Sequence, residues 1–543
     1  MFNKKNKNFS LSYFKNDFSA GLVVWLVALP LCIGIAKGSE VNAFSGLIAG
    51  IIGGLIVTFF SGSKFGVSGP AAGLITIVVA GIATLEGDLS TFFLAVFLSG
   101  IIQFLFGLFR LGVIGYFVPT SVINGMLASI GLTLILKQIP LIFGGFSGSS
   151  VHKDVYSSFM DSNGIENTHD IHLLVKIWLD TQAAINSISF GALIIFGISI
   201  LIMILWEQKF IKNIKFFQFL PASLMVVIIG AALAYCFNSF GGDSGSSLAL
   251  VKQQLVGLPT ALKEWDFKNL ITLPNFSGLT NPNVWIIAVT IAIVGSIETL
   301  LSVEATDKLD PDKNISPTNK ELKAQGIGNA ISGLIGGLPI TMVIVRSSAN
   351  INAKAKTQLS AIYHGLFLLI SVFTFPHLLE LIPSASLAAI LCVLGFKLLK
   401  LNTLFKMFKT DPQSSLVILV TIAAVLATDL LKGVGIGFAL AMFFILRKNY
   451  ELALISHTDE KENETVISFA QIVSFLNKGA LMQTLQKIPN GSKVKMSAIK
   501  CHTMSKEIQE VIVDFRDISS KINNIDLELI GFEKFDFISS KKT

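Results

Sequence analysis

Ser63-Lys-Phe-Gly-Val-Ser-Gly-Pro-Ala-Ala-Gly73 and Gly337-Leu-Pro-Ile-Thr-Met-Val-Ile-Val-Arg-Ser-Ser-Ala-Asn350 interrupt long apolar sequence in the same way. Each opens with small or helix-breaking residues and passes through a few β-prone ones. Each then restarts a helix, at Gly69-Pro70 in the first and Ser347-Ser348 in the second. Overlaid, Gly66-Val67-Ser68-Gly69-Pro70-Ala71 matches Ile344-Val345-Arg346-Ser347-Ser348-Ala349. Broken helices at corresponding places in two apolar halves point to the binding site of a secondary transporter. The arginine at the mouth of the second break makes an anion the natural guest.

The rest of the chain supports a membrane setting. Hydrophobic residues make up 52% of it and charged residues 14%, with a mean hydropathy of +0.68. A soluble chain of this length could not hide that much apolar surface, so lipid is its main solvent. A spanning helix needs about 20 apolar residues, and the sequence up to residue 448 offers about fourteen such segments, some short or broken. The first group is expected at 19–37, 42–61, 69–84, 91–109, 119–142, 187–205 and 218–238. The second is expected at 283–302, 320–338, 347–356, 358–376, 383–399, 412–430 and 433–448. The broken segments are third in each group. Because each group is odd in number, the second enters the membrane inverted, which places a site near the midplane between the breaks. This predicts a polytopic α-helical protein, a 7+7 inverted repeat (about 18–238 and 283–448) within a transporter domain at 18–448.

The formal charge of +7 is distributed by topology and does not indicate a nucleic-acid partner. Lys4, Lys5, Lys7 and Lys15 precede the first segment, and Lys209, Lys212 and Lys215 separate the sixth and seventh. Lys397, Lys400, Lys406 and Lys409 lie near the twelfth-to-thirteenth connection, and Arg447 and Lys448 follow the last segment. The acidic loop at 143–185, with Asp154, Asp161, Glu166, Asp170 and Asp180, falls on the other side. Positive charge marks the cytoplasmic face, so both termini are expected in the cytoplasm of a cell (inner) membrane protein. Cys32, Cys236, Cys392 and Cys501 have no metal-site or disulfide spacing.

After residues 1–17 as a cytoplasmic lead and 449–464 as a linker, 465–543 reads as a small α/β domain. Glu464–Phe469, Ser492–Ser497 and Ile525–Ile530 are strand-like, with helices at Leu476–Lys487 and Lys506–Asn523 between them. The polar stretch His457-Thr-Asp-Glu-Lys-Glu-Asn463 reads as an exposed connector.

Two charges stand inside apolar sequence, where each is expensive and faces a partner or a watery cavity. Arg346 lies at a helix start, where free N–H groups and the helix dipole already favour an anion. Alternatively, it only neutralises an internal carboxylate. Glu298, in Ile293-Val-Gly-Ser-Ile-Glu-Thr-Leu-Leu-Ser302, binds a coupling cation with Thr299, Ser302 or backbone carbonyls, shuttles a proton, or serves as counter-ion to Arg346. Thr341, Ser347, Ser348 and Asn350 around the second break, and Ser68 and Gly69 around the first, supply further polar groups, each also explained as a cap or a helix contact. Pro30, Pro119 and Pro383 read as kinks or helix starts, and Gly46, Gly50 and Gly54 as a packing face. No HExxH, GxSxG or Walker A sequence is present, so no enzyme is indicated and transport must run on gradients or a separate subunit.

The chain resembles the SulP family of inorganic anion transporters from Asp17 to about Glu533. The likeness rests on Ala28-Leu-Pro-Leu-Cys-Ile-Gly-Ile-Ala36, Gly66-Val-Ser-Gly-Pro-Ala-Ala72 and Gly295-Ser-Ile-Glu-Thr-Leu-Leu-Ser302. It rests also on Glu321-Leu-Lys-Ala-Gln-Gly-Ile-Gly-Asn329, Arg346-Ser-Ser-Ala-Asn350 and Ile382-Pro-Ser-Ala-Ser-Leu-Ala-Ala-Ile-Leu391. The resemblance implies a core domain moving against a gate domain, a homodimer, and a cytoplasmic STAS domain. It implies an anion site between the third and tenth helices, hence near Ala71, Ala72, Ser347 and Ser348, with Arg346 and Glu298 alongside. Sodium near the carboxylate matching Glu298 is implied by the bicarbonate-carrying members; no cofactor is. Leu31, where many relatives are polar, and a degenerate STAS pattern, with Ser497 where relatives often have Asp, are departures, while Ser505 lies near the family's usual phosphorylation position. The form Val343-Ile-Val-Arg-Ser-Ser348 resembles the branch associated with carbonic anhydrases, which favours bicarbonate. The expected function is secondary transport of bicarbonate or sulfate, with Na⁺ or H⁺ as candidate coupling ions; an uncoupled anion channel and a nucleobase carrier of similar architecture are the alternatives.

Overall fold

In lipid every backbone group needs a partner within the protein, and the long apolar runs meet that demand as helices. The structure is a computed structural model that describes residues 13–145, 173–208, 211, 220–240, 248–258, 262, 271–428, 430–452, 454–459 and 464–535. Lys4, Lys5, Lys7, Lys209, Lys212 and Lys215, the acidic positions from Asp154 to Asp170, and residues 460–463 of the expected connector lie outside the described residues.

The first half contains α1 (Phe14–Gly38), α2 (Ala43–Phe60), strand β1 (Ser68–Pro70), α3 (Ala72–Thr84), α4 (Leu89–Leu108), α5 (Thr120–Ile142), α6 (Leu173–Asn186), α7 (Phe190–Trp206) and α8 (Ala222–Phe240). The second contains α9 (Pro282–Leu309), α10 (Thr318–Leu334), strand β2 (Ile340–Met342), α11 (Ile344–Asn352), α12 (Leu359–Thr374), α13 (Ser384–Leu399), α14 (Leu401–Thr410), α15 (Pro412–Ala427) and α16 (Leu430–Leu452). Among the described residues eight helices are long and apolar enough to cross a membrane, or nine if α6 and α7, bent by 116°, form one span. Each expected segment overlaps a helix among the described residues, but α3, α11, α12 and α15 are short, and α10 is rich in polar residues. Pro119 and Pro383 stand immediately before α5 and α13, whereas Pro30 lies inside α1.

The helices pack in two groups. α1, α2, α4, α9, α10, α11 and α12 pack among themselves, as do α5, α7, α8, α13 and α15, and α1 meets the second group through α8 and α13. The turn opening α3 touches both α9 and α5, so the first break lies at the seam. α4 and α10 approach most closely through glycines: a Cβ on Gly100 would lie 2.6 Å from the Gly326 carbonyl oxygen, and one on Gly333 would lie 2.7 Å from that of Phe93. The Gly46, Gly50 and Gly54 stripe is a packing face against α1 and α12.

The breaks differ from the sequence expectation. β1 and β2 pair antiparallel, with Ser68 opposite Met342, Gly69 opposite Thr341 and Pro70 opposite Ile340. Helix therefore resumes at Ala72, after the strand, and at Ile344, ahead of Ser347. Ala71 and Val343 are the last extended residues before each helix. By structural role Ala71 corresponds to Val343, whereas the sequence overlay set it on Ala349. The overlay followed small residues, but Ser347 and Ser348 do not cap: their hydroxyls donate to Val343 and Val345 carbonyls within the first turn of α11. Gly336, at φ +79°, turns the chain out of α10 toward β2, in a region that favours glycine.

Where α1 begins, Asp17 is fully buried and accepts from the Lys356 N–H at 2.7 Å, the Thr357 N–H at 3.0 Å and the Thr357 hydroxyl at 2.6 Å. Hydrogen bonds to a charged group contribute about 1.5–3 kcal/mol each. Asp17→Ala, which leaves these donors buried and unmet, is expected to cost about 3 kcal/mol, read as a lowered thermal unfolding midpoint of the purified protein. An unchanged midpoint would remove this tie.

The chain divides into two compact units, Met1–Gly437 and Phe438–Thr543, with the division inside α16. In the second, β3 (Leu454–Asp459) pairs antiparallel with β4 (Glu464–Phe469), and β4, β5 (Lys493–Ser497) and β6 (Asp526–Ile530) are parallel neighbours in that order. Helices α17 (Lys478–Gln486) and α18 (Lys506–Asp514) join the parallel strands, and Ile467, Val494, Met496, Ile508 and Ile512 form their core. His457, Thr458 and Asp459 therefore belong to an edge strand, a correction to the expected connector; alternation at a polar edge is too weak to show in sequence. Ser497 ends β5, and Ser505 stands directly before α18. Burial pushes the Cys501 thiol pKa up, against the Thr503 carbonyl and Lys534.

Candidate anion-binding site

The first turn of α11 leaves backbone N–H groups without intrahelical acceptors. Arg346 belongs to this turn and is fully buried. Its guanidinium reaches back over β1: Nη2 donates to the Pro70 carbonyl at 3.5 Å and to Cys32 Sγ of α1 at 3.4 Å. Nε and Nη1 have no hydrogen-bond partner. A Cβ on Gly69 would collide with Nη1, so the glycine is what lets the guanidinium lie against the strand. A guanidinium offers five donors, and two long bonds, one to a thiol and one to a carbonyl, leave most of that capacity unused. Burying an unpaired charge costs several kcal/mol, which an arriving anion would offset.

Glu298, on α9, is not that partner. No ion pair within 4 Å joins it to Arg346 among the described residues, so the two are not in direct contact. Its carboxylate instead lies flat against Gly73 at the start of α3: a Cβ there would be 2.8 Å from Oε1 and 2.9 Å from Oε2. Oε2 is buried without a partner. The charges are crossed, with the arginine of the second break lying on the first strand and the glutamate of α9 lying on the first half-helix.

The other expected residues take varied places. Ser68 accepts from Gln325 Nε2 at 2.6 Å, and Ser347 accepts from the Val67 N–H at 3.0 Å while donating to Val343. Ser348 bonds only within its own helix. Ala71 is buried and Ala72 half-buried, on the turn that carries Gly73. Thr299 accepts from the Met342 N–H at 3.4 Å, and Ser302 is buried one turn from Glu298. Asn350 donates to the Phe65 carbonyl at 3.1 Å. No group of three or more His, Cys, Asp or Glu side chains suited to a metal occurs among the described residues. Glu298 with the Thr299 and Ser302 hydroxyls is the oxygen set a monovalent cation could use.

Sequence reasoning missed several buried polar groups around this centre. Glu321 accepts from Ser61 Oγ at 2.6 Å and from the Gly62 N–H at 3.2 Å, and Gln358 donates to the Ser63 carbonyl at 2.6 Å. Gln103 and Asn329 bond each other, and His364 is fully buried with neither ring nitrogen partnered. The legible signal was the spacing of four between Glu321, Gln325 and Asn329, which sets three polar side chains on one face of α10.

A family model described as the sulfate permease family matches residues 14–421. YvdB of Bacillus subtilis, whose assignment as a sulfate transporter is itself provisional, is 27% identical across 98% of this chain and 94% of its own length. The bicarbonate transporter BicA of Picosynechococcus sp. is 26% identical across 79% of this chain and 70% of its own. Among solved structures, the transmembrane domain of a cyanobacterial BicA matches with a TM-score of 0.64 at 22% identity, over 79% of this chain and 99% of that one. The overall structure of SLC26A9 matches with a TM-score of 0.73 at 16% identity, over 98% of this chain and 87% of that one. At such identities the structural likeness speaks for the fold alone.

Proposed function

The chain belongs to the sulfate permease family of multi-pass membrane proteins, and from that premise we propose that it carries bicarbonate or sulfate by alternating access, coupled to Na⁺ or H⁺ at Glu298. The observation that carries the reading is the buried Arg346 guanidinium with two unpartnered nitrogens, Nε and Nη1, at a helix start. The anion sits between the starts of α3 and α11, bounded by Ser68, Gly69, Ala71, Ala72, Arg346, Ser347 and Ser348. The seam between the two helix groups, where the first break lies, supports a core that moves against a gate. Fourteen crossings in a 7+7 inverted repeat, a homodimer, cytoplasmic termini and a STAS-like second unit complete the reading; the parallel strands β4, β5 and β6 support the last.

The crossed charges support coupling. Glu298 lies at the start of α3, which would otherwise favour an anion. An anion brought to the same helix start is repelled by the Glu298 carboxylate. A cation or proton at Glu298 lifts that repulsion, so each ligand favours the other. In proteoliposomes, an inward Na⁺ or H⁺ gradient is expected to drive accumulation of labelled bicarbonate or sulfate. Glu298→Gln should lower that accumulation at least about tenfold while exchange of anion for anion stays within about threefold. Wild-type uptake indifferent to both gradients would end the coupling proposal, and large unitary currents would favour the channel.

A further inference from the structure

β2 has β1 along one edge only, and its other edge is completed by side chains. Asn329 of α10 meets both backbone groups of Ile340: Oδ1 accepts from its N–H at 2.6 Å and Nδ2 donates to its carbonyl at 2.9 Å. The side-chain amide thus does what a neighbouring strand would do. Nδ2 also donates to Gln103 Oε1 of α4 at 2.8 Å, and Gln103 Nε2 donates to Ser296 Oγ of α9 at 3.2 Å. All three side chains are buried. Ser296 stands two residues before Glu298, and Ile340 begins the strand that leads into the first turn of α11.

We propose that Asn329 and Gln103 are positioning residues that hold the Arg346 turn and the Glu298 helix in fixed register, so that anion and coupling ion meet the same gap. This rests on the function proposed above. The relay runs through three helices and one strand by hydrogen bonds of side-chain amides, which are directional. A small displacement of a charged group at such a site costs affinity steeply. Their hydrogen bonds run to Ile340 and Ser296, so the effect passes through β2 and α9.

The test pairs exchange with kinetics on purified full-length protein. In Asn329→Ala, amide hydrogen exchange in the peptide covering residues 338–343 is expected to quicken at least about tenfold, with α1 and α12 peptides unchanged. Anion KM should rise about tenfold while Vmax stays within about threefold. Gln103→Ala, which leaves both Ile340 bonds in place, should raise the KM for anion and the half-saturating concentration of coupling ion together, about threefold. The double variant should fall short of the product of the single effects. Lowered Vmax with unchanged KM, or independent effects, would overturn the proposal. If the wild type moves no labelled anion, the transport reading fails. The hold on β2 is then judged by exchange alone, and wild-type protection of 338–343 in Asn329→Ala would refute it.

Discussion

Arg346→Ala is expected to abolish anion flux and leave a folded protein. The guanidinium brings two unpartnered nitrogens, Nε and Nη1, to the starts of the half-helices. Two charge-assisted hydrogen bonds to an anion contribute about 3 kcal/mol or more, so Vmax/KM for labelled bicarbonate or sulfate should drop at least about a hundredfold. Folding should not suffer in proportion, because the present partners of Arg346 are a thiol at 3.4 Å and a carbonyl at 3.5 Å. Removing a poorly paired buried charge also removes its desolvation cost. Size-exclusion elution and thermal unfolding should therefore match the wild type. Arg346→Lys, which keeps charge but loses the planar fork, should lie between. Uptake by Arg346→Ala within about threefold of wild type would defeat the anion site.

The second large effect is on assembly. Gly100→Leu puts a Cβ 2.6 Å from the Gly326 carbonyl oxygen and 2.8 Å from Ala330 Cα. The obstructing atoms are backbone, so no side chain can swing away and α4 must separate from α10. Overpacking commonly costs 1–3 kcal/mol; with rigid backbone on both sides, more than about 3 kcal/mol is expected, seen as loss of a monodisperse peak or an unfolding midpoint at least about 10 °C lower. Gly197→Leu is the control: Gly197 has nothing within 4 Å of a new Cβ and should accept the change. Equal behaviour of the two variants would refute the close α4–α10 crossing.

The breaks were legible because glycine and proline punctuate apolar sequence more strongly than any other signal. Arg346 and Glu298 were legible because charge in a membrane segment is costly enough to need a reason. The strand register was not. It depends on which backbone groups of two distant segments are left to pair, and Ser347-Ser348 imitates a helix start that lies three residues earlier, at Ile344. The crossed placement of the charges follows from that pairing, so it was equally hidden. The roles of Ser68 and Ser347 needed their partners, Gln325 and Val67, which a single sequence does not bring together. Asn329 and Gln103 were visible as amides in helices, but one Asn or Gln in a span is most simply a helix contact. In the second unit the three parallel strands showed through their hydrophobic alternation, while the polar edge strand β3 did not.

The pairing of β1 with β2 has a consequence for how the chain is made. Pro70 and its strand partner Ile340 stand 270 residues apart. At synthesis rates of 5–20 residues per second, β1 leaves the ribosome roughly 14 to 55 s before its partner exists. Through that interval the backbone of Ser68-Gly69-Pro70 is a bare edge with no lipid-compatible partner. The first half therefore cannot settle in its final arrangement as it emerges. It must wait in a provisional one, shielded by water or by the insertion machinery, until Ile340–Met342 arrives. Co-expressed halves should find each other, whereas a first half made alone should be cleared by proteolysis.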